Sequence, residues 1–354
     1  MPRQDIIVVG ASAGGVEALS RLVADLPEDL PAAVFVVLHM APHTGTALPR
    51  ILGRQTRLPV DHPADGEPIR PNRIYVAVPD RHLILGRGTV RVTNGPRENG
   101  HRPAVDTLFR TAAAGYGPRV VGVVLSGTRD DGTAGLRVIH ARGGTAIVQH
   151  PDEALFPGMP QSAVAGDHPD FVVPVGEIGA LLSKLARDGL PQKGRSSPMP
   201  DALDAELRWA HPDLEGPALT DPPLGSPSGF TCPECHGGLW EIEDEGFPRY
   251  RCRVGHGFSA DSLLVTQRTD VEAALWIAYR ALEERAALCR RLADRAKDRN
   301  AHITAEHFRA EAADVARQAD LLRVLLWSRD RGDGREAAES TVTEERRPRE
   351  GPGT

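Results

Sequence analysis

The first half of the chain alternates short, almost wholly apolar runs with stretches of helical spacing. The runs are residues 6–9, 34–38, 74–78, 120–125, 145–148 and 171–173. They are rich in β-branched residues and lack polar alternation, as expected of strands buried on both faces of a parallel sheet. Residues 15–26, 106–114, 132–141 and 177–186 carry apolar side chains at helical spacing. This βα rhythm predicts a doubly wound α/β domain over residues 1–190, with chemistry at the strand C-termini. Residues 81–93 alternate like a hairpin around Gly86-Arg87-Gly88.

Beyond residue 190 the pattern changes. Residues 191–227 are rich in Pro and Ser, hold one short helical candidate at 202–210, and read as a linker. Residues 228–262 form a compact Cys-bearing segment. Within 263–328, two amphipathic helices are predicted at 270–297 and 304–327. The first carries Val271, Leu275, Ala278, Leu282, Cys289 and Leu292 at helical spacing; the second carries Phe308, Ala312, Val315, Leu322 and Leu325. Such a hairpin either packs its own seam or offers a homodimer surface to a second copy. The tail, 329–354, mixes charge with Gly and Pro and reads as disordered.

Composition narrows the function classes. The chain has 354 residues, 40% of them hydrophobic and 25% charged, within the range of soluble globular proteins. A net charge of -6 argues against a general nucleic-acid binder, which needs positive excess to displace counterions. No apolar run approaches the roughly 20 residues of a membrane span, and residues 1–4 supply no signal lead-in. The expected compartment is the cytoplasm, where the four cysteines read as thiols or metal ligands.

The first run leads into Gly10-Ala11-Ser12-Ala13-Gly14-Gly15. One reading is a glycine-rich phosphate cradle. The dinucleotide fingerprint, however, needs glycine where Ser12 stands and an acid where the second strand ends on His39. The other reading is a strand–turn–helix elbow presenting Ser12 as a nucleophile. A serine needs a base, and the base needs an orienting carboxylate. His39 closes the second strand; Asp130 and Asp131 follow the strand at 120–125. Each also has a plainer reading: a tight turn at Ser12, packing at His39, and a helix N-cap at either aspartate.

The segments VVGASAGG, VVLHM, GHRPAVDTLF, VVLSGTRDDGTAGL and FPGMPQSAV resemble the successive motifs of CheB-type chemotaxis-receptor methylesterases. The resemblance spans about residues 4–187. It implies Ser12 as nucleophile, His39 as base and Asp131, not Asp130, as the third member. It also implies hydrolysis of glutamyl methyl esters on a methylated chemoreceptor or related signalling protein, with glutamine deamidation as a further activity. The sequence departs from the family at Ala13 and at Ser126-Gly127-Thr128-Arg129, close to where backbone N–H groups of Ala13 and Thr128 would hold an oxyanion. The family's receiver domain is not seen ahead of Asp5, so control through abundance, a partner or the C-terminal half is expected. The rival reading is a signalling adaptor on a degenerate methylesterase fold.

A second candidate site follows from spacing alone. Cys232 and Cys235 form C-x2-C, and after sixteen residues Cys252 and His256 form C-x3-H. This is a zinc-ribbon pattern whose closed ligand set suits a structural zinc, with His236 as an alternative ligand. Acidic residues Glu241, Glu243, Asp244 and Glu245 favour protein over nucleic acid as the partner of this segment. It is expected to be a self-contained module on the linker, and catalysis is expected to need no cofactor.

Overall fold

The structure, a computed structural model, describes residues 4–40, 47–166, 168–188, 225–243 and 247–344, with side chains described as far as Trp327. The chain forms two compact units, residues 1–265 and 266–354.

The first unit is built on a seven-stranded sheet of order β3-β4-β2-β1-β7-β8-β9. Its strands are β1 (Ile6–Ala11), β2 (Ala33–Leu38), β3 (Val60–Asp61), β4 (Arg73–Val76), β7 (Val120–Val124), β8 (Thr145–Gln149) and β9 (Phe171–Val173). Every pairing is parallel. The pleat explains the continuous apolar runs. Ile7, Val9 and Ala11 of β1 share one core with Leu19 and Leu22 of α1 (Gly15–Ala24) and Leu182 of α6 (Val175–Asp188). Ile6 and Val8 face a second core with Phe109 of α3 (Val105–Tyr116) and Leu136 of α4 (Thr133–Ala141). Both faces are covered, so neither can be polar. Strand order runs outward in both directions from β1, which sets the topological switch point at the carboxyl ends of β1, β2 and β7.

The hairpin forms as β5 (His82–Leu85) and β6 (Val90–Thr93). Sequence periodicity misses β3, α2 (Leu48–Leu52) and α5 (Gly158–Gly166). The first two are too short to show a period. The third is masked by two glycines and Pro160. The candidate helix at 202–210 lies outside the described residues.

The Cys-bearing segment folds as an antiparallel sheet of β10 (Ser226–Thr231), β11 (Gly238–Ile242), β12 (Arg249–Cys252) and β13 (Gly257–Ser259). Its core is small: Cys232, Leu239, Cys252, Phe258 and Leu263. It does not stand apart as a separate module but shares the first unit with the α/β sheet.

Two long helices follow, α7 (Ala260–Asp298) and α8 (His302–Glu344). In the second unit their buried residues are Ala286, Cys289, Ala293 and Ala296 on α7, and Ala305, Ala312, Val315, Ala319 and Leu326 on α8. The three- and four-residue spacing is that of a helix–helix seam, built mostly on alanine. Val271 and Leu325, expected in the seam, are 49% and 46% exposed. The α8 backbone continues to Glu344, into the segment expected to be disordered. Its Arg, Glu and Ala content has high helix propensity, which offsets Gly332 and Gly334. No helix among the described residues is long and apolar enough to cross a membrane.

Candidate active site

Strand register brings the serine and histidine together. β1 pairs with β2 from Ile6–Ala33 to Ala11–Leu38, so the next step sets Ser12 beside His39. The His39 amide donates to the Ala11 carbonyl at 3.1 Å. The chain turns sharply there: the Ser12 amide donates to the Ser126 carbonyl at 3.0 Å, and the Gly15 amide to the Ser12 carbonyl at 2.9 Å. Gly14, at φ 68, takes the left-handed conformation that opens α1. Gly127 is needed for close approach, because a Cβ there would lie 2.1 Å from the Met159 sulfur and 2.9 Å from Ser12 Cβ. The amides of Ala13 and Thr128, on the two loops that meet at Ser12, make no hydrogen bond among the described residues.

His39 Nε2 lies 2.7 Å from Asp131 Oδ2, with side-chain exposures of 5% and 2%. A carboxylate partner assigns the proton to Nε2 and leaves Nδ1 as the acceptor. That nitrogen is buried and makes no hydrogen bond among the described residues, and so none to the Ser12 hydroxyl. Catalytic hydrogen bonds of this kind tighten when substrate binds.

Asp131 is held by more than the histidine. Its Oδ2 accepts from the Val105 amide at 2.7 Å, and its Oδ1 from the Asp106 amide at 3.1 Å and Asn99 Nδ2 at 3.0 Å. It therefore caps α3 from outside, using amides that a helix leaves unsatisfied at its N-terminus. Asp106 returns the arrangement, accepting from the Gly132 amide at 3.0 Å and the Gly135 amide at 2.6 Å, and so caps α4. The plainer reading of Asp131 as the cap of the helix that follows it is thus replaced by an exchange between helices. Asp130 is buried but takes no part; its Oδ1 accepts from Ser262 Oγ at 2.8 Å.

The electrostatics separate these carboxyls. Burial alone would raise the Asp131 pKa. The hydrogen bond and charge of His39, with His101 and the Val105 amide, outweigh burial and bring it down to about 2. Burial and the nearby Asp131 carboxylate push Asp106 well above the ordinary carboxyl range. Burial also raises Asp130, against the pull of Ser259 and Ser262. Asp131 is therefore the carboxylate fixed in its ionised form, as an orienting acid requires.

Sequence reasoning missed several neighbours. The His101 ring stacks on His39, with centroids 3.7 Å apart and planes 9° from parallel. Burial, reinforced by His39, depresses its pKa to about 4, so it is neutral at pH 7. Both His101 and Asp106 lie in the segment GHRPAVDTLF, yet no spacing rule assigns either a partner.

His82 fastens this region from below: Nε2 donates to the Pro96 carbonyl at 2.8 Å, and Nδ1 accepts from the Ala104 amide at 3.3 Å. The bond from Ala104 requires the neutral ring, because Nδ1 accepts only when unprotonated. Burial depresses its pKa from 6.5 to about 4, so its stabilising contribution is complete above pH 6.5 and lost as pH falls through 4. At about 1.4 kcal/mol per unit, the loss is about 3 kcal/mol. Urea unfolding across this window should show a decline, and His82→Gln should make it shallower, leaving the part that the buried His101 contributes. An unchanged pH slope in the variant would refute this role.

The second candidate site also assembles. The Sγ atoms of Cys232, Cys235 and Cys252 and a ring nitrogen of His256 all lie within 4.8 Å of one another. Cys235 and Cys252 sulfurs are 3.6 Å apart, and His256 Nδ1 is 3.8 Å from the Cys232 sulfur and 3.5 Å from that of Cys252. A tetrahedron with metal–sulfur bonds of about 2.3 Å has edges of about 3.8 Å. The spacing therefore fits a tetrahedral ion such as zinc and is too wide for a disulfide. His236 lies outside this group.

A parallel α/β sheet thus carries a serine, a histidine and an aspartate near the carboxyl ends of its central strands. The CheB methylesterase family description matches residues 7–182. A putative protein-glutamate methylesterase/protein-glutamine glutaminase of Leptospira interrogans (serovar copenhageni) is 33% identical over 190 residues, covering 53% of this chain and 98% of the relative. The chain belongs to the CheB methylesterase family. Protein-glutamate methylesterase/protein-glutamine glutaminase 2 of Anaeromyxobacter dehalogenans is 40% identical over 185 residues, 52% of this chain and 54% of that protein. This chain thus spans about half the length of that relative. The crystal structure of the Thermotoga maritima CheB methylesterase catalytic domain aligns at 33% identity and TM-score 0.49, over 51% of this chain and 98% of that one.

Proposed function

We propose that this protein hydrolyses glutamyl methyl esters on a methylated chemoreceptor or related signalling protein, releasing methanol and a free carboxylate. Ser12 Oγ attacks the ester carbonyl while His39 Nδ1 takes its proton. Asp131, ionised and fixed by α3 and Asn99, holds the imidazole tautomer and the imidazolium that forms. The amides of Ala13 and Thr128 supply the oxyanion donors. His39 then protonates methoxide as methanol leaves; water attacks the acyl-enzyme by the same route in reverse. Glutamine deamidation follows the same steps with ammonia as leaving group. The observation that carries this reading is the 2.7 Å His39–Asp131 bond at the strand ends where register brings Ser12 alongside.

The adaptor reading rests on Thr128 and Arg129, exposed and at odds with the family motif that the sequence otherwise resembles. A fluorophosphonate probe separates the two: a hydrolase is labelled at Ser12 and loses the label in Ser12→Ala, whereas an adaptor stays unlabelled. The cytoplasm is the expected site of action.

Cys232, Cys235, Cys252 and His256 would hold one structural zinc, since three thiolates and an imidazole complete its shell and leave no site for substrate. The purified protein should contain one zinc per chain by atomic absorption, and Cys232→Ser should lose it. A metal-free wild type that keeps residues 226–265 resistant to protease would refute the assignment. The exposed Trp276, Ile277 and Leu288 of the helical hairpin support its use as an interaction surface, for the partner protein or a second copy.

A further inference from the structure

We propose that the Cys-bearing module is a clamp on the catalytic aspartate, with Asn99 as the positioning residue that transmits it. This rests on the hydrolase reading above and adds a control point to the same site.

The connection is short and, from residue 98 to Asp131, buried. Immediately after His256, the Gly257 amide donates to the Arg97 carbonyl at 3.2 Å, and the Asn99 amide donates to the Gly257 carbonyl at 2.8 Å. β13 thereby bridges in parallel to residue 98. The Ser259 amide then donates to Asn99 Oδ1 at 2.9 Å. The other end of that side chain donates from Nδ2 to Asp131 Oδ1 and to Asp106 Oδ2, each at 3.0 Å. The amide orientation is fixed by this network, because a flip would turn oxygen towards two carboxyls and nitrogen towards an N–H. Asn99 also holds a left-handed backbone, φ 53, which the module's strand supports.

Two further links run beside it. Arg251, on β12, donates to the Gly255 carbonyl at 2.7 Å and to Glu98 Oε1 at 3.3 Å. Arg110 binds the other Glu98 oxygen from α3. Ser262 holds Asp130, the neighbour of Asp131. Module and active site therefore share a set of buried polar groups, in which each hydrogen bond is stronger than in water and the loss of one partner is costly to the others. The module's apolar core is small, so its order depends on the metal. Loss of metal, by chelation or thiol oxidation, should release Asn99 and leave Asp131 with fewer donors, lowering turnover without touching Ser12 or His39.

The test uses the full chain and the variant Asn99→Gly, in which glycine tolerates the left-handed backbone and only the side chain is lost. The variant should keep its zinc and its protease resistance. Its kcat on a small ester should fall roughly ten- to a hundredfold with KM unchanged, the range for one hydrogen bond to a charged group. Chelating wild type should give at least that loss, and chelating Asn99→Gly should add less than it does in wild type, because both act through one contact. The downfield proton resonance of the His39 Nε2–H bonded to Asp131 should broaden or shift in both. If chelation opens residues 226–265 to protease while kcat and the His39 resonance stay unchanged, the clamp is refuted. If intact wild type turns over no ester, the hydrolase reading fails by itself, and the resonance still decides whether the module positions Asp131.

Discussion

Ser12→Ala and His39→Ala should each lower turnover of a small ester by roughly 10³-fold or more, because nucleophile and base act as a unit and neither alone retains the chemistry. The thermal midpoint should move little in Ser12→Ala. The hydrogen bonds that shape the elbow run through the backbone of Ser12 and Gly15 and through the carbonyl and hydroxyl of Ser126, not through the Ser12 hydroxyl. His39→Ala removes the side chain that hydrogen-bonds Asp131, so it should raise the Asp131 carboxyl towards the ordinary range as well. The double variant should be no slower than the worse single one. Losses below about tenfold at both positions, with the fold intact, would remove Ser12 and His39 from the reaction.

Asp131→Asn should cost on the order of 10³–10⁴ in kcat, the scale of a misheld tautomer. The effect is larger than loss of one charge. Asp131 accepts from two backbone amides, Asn99 and His39, and an asparagine amide group would turn donors against donors. Asp130→Asn should change kcat only a few-fold, because that side chain keeps an acceptor for Ser262 and bonds nothing at His39. The contrast between adjacent aspartates is the sensitive reading. Equal losses at the two would mean that Asp130 also holds the histidine, contrary to the geometry.

Much of this arrangement was legible before the fold was known. The apolar runs that became β1, β2 and β7 are continuous because both sheet faces are covered, and their ends carry Ser12, His39 and Asp131. A period of two or 3.6 residues is visible only over several repeats, so β3 and α2 were missed, while glycine and proline hid α5. The choice of Asp131 over Asp130 came from family resemblance. Its physical basis, the exchange of helix caps between Asp131 and Asp106, involves residues 25 apart and has no local signature. The cluster of Cys232, Cys235, Cys252 and His256 was readable because C-x2-C and C-x3-H are local motifs. The contact between their module and Asn99 was not, since it joins positions 160 apart through a backbone amide of unremarkable sequence. His101 and Asn99 were invisible for a related reason: a stacked imidazole and a bridging amide have no required spacing. In the helical hairpin, the predicted stripe meets the seam at Cys289, Ala312 and Val315, while Val271 and Leu325 lie exposed and alanines fill most of the other buried positions.

The most direct test of the central claim is methanol release from a methylated chemoreceptor, measured for wild type and Asp131→Asn under the same conditions. The account predicts stoichiometric methanol with wild type, matched by new carboxylates on the receptor. It predicts a rate lower by on the order of 10³ with the variant. Methanol release at equal rates from both, or none from a wild type that has its metal and its fold, would contradict it.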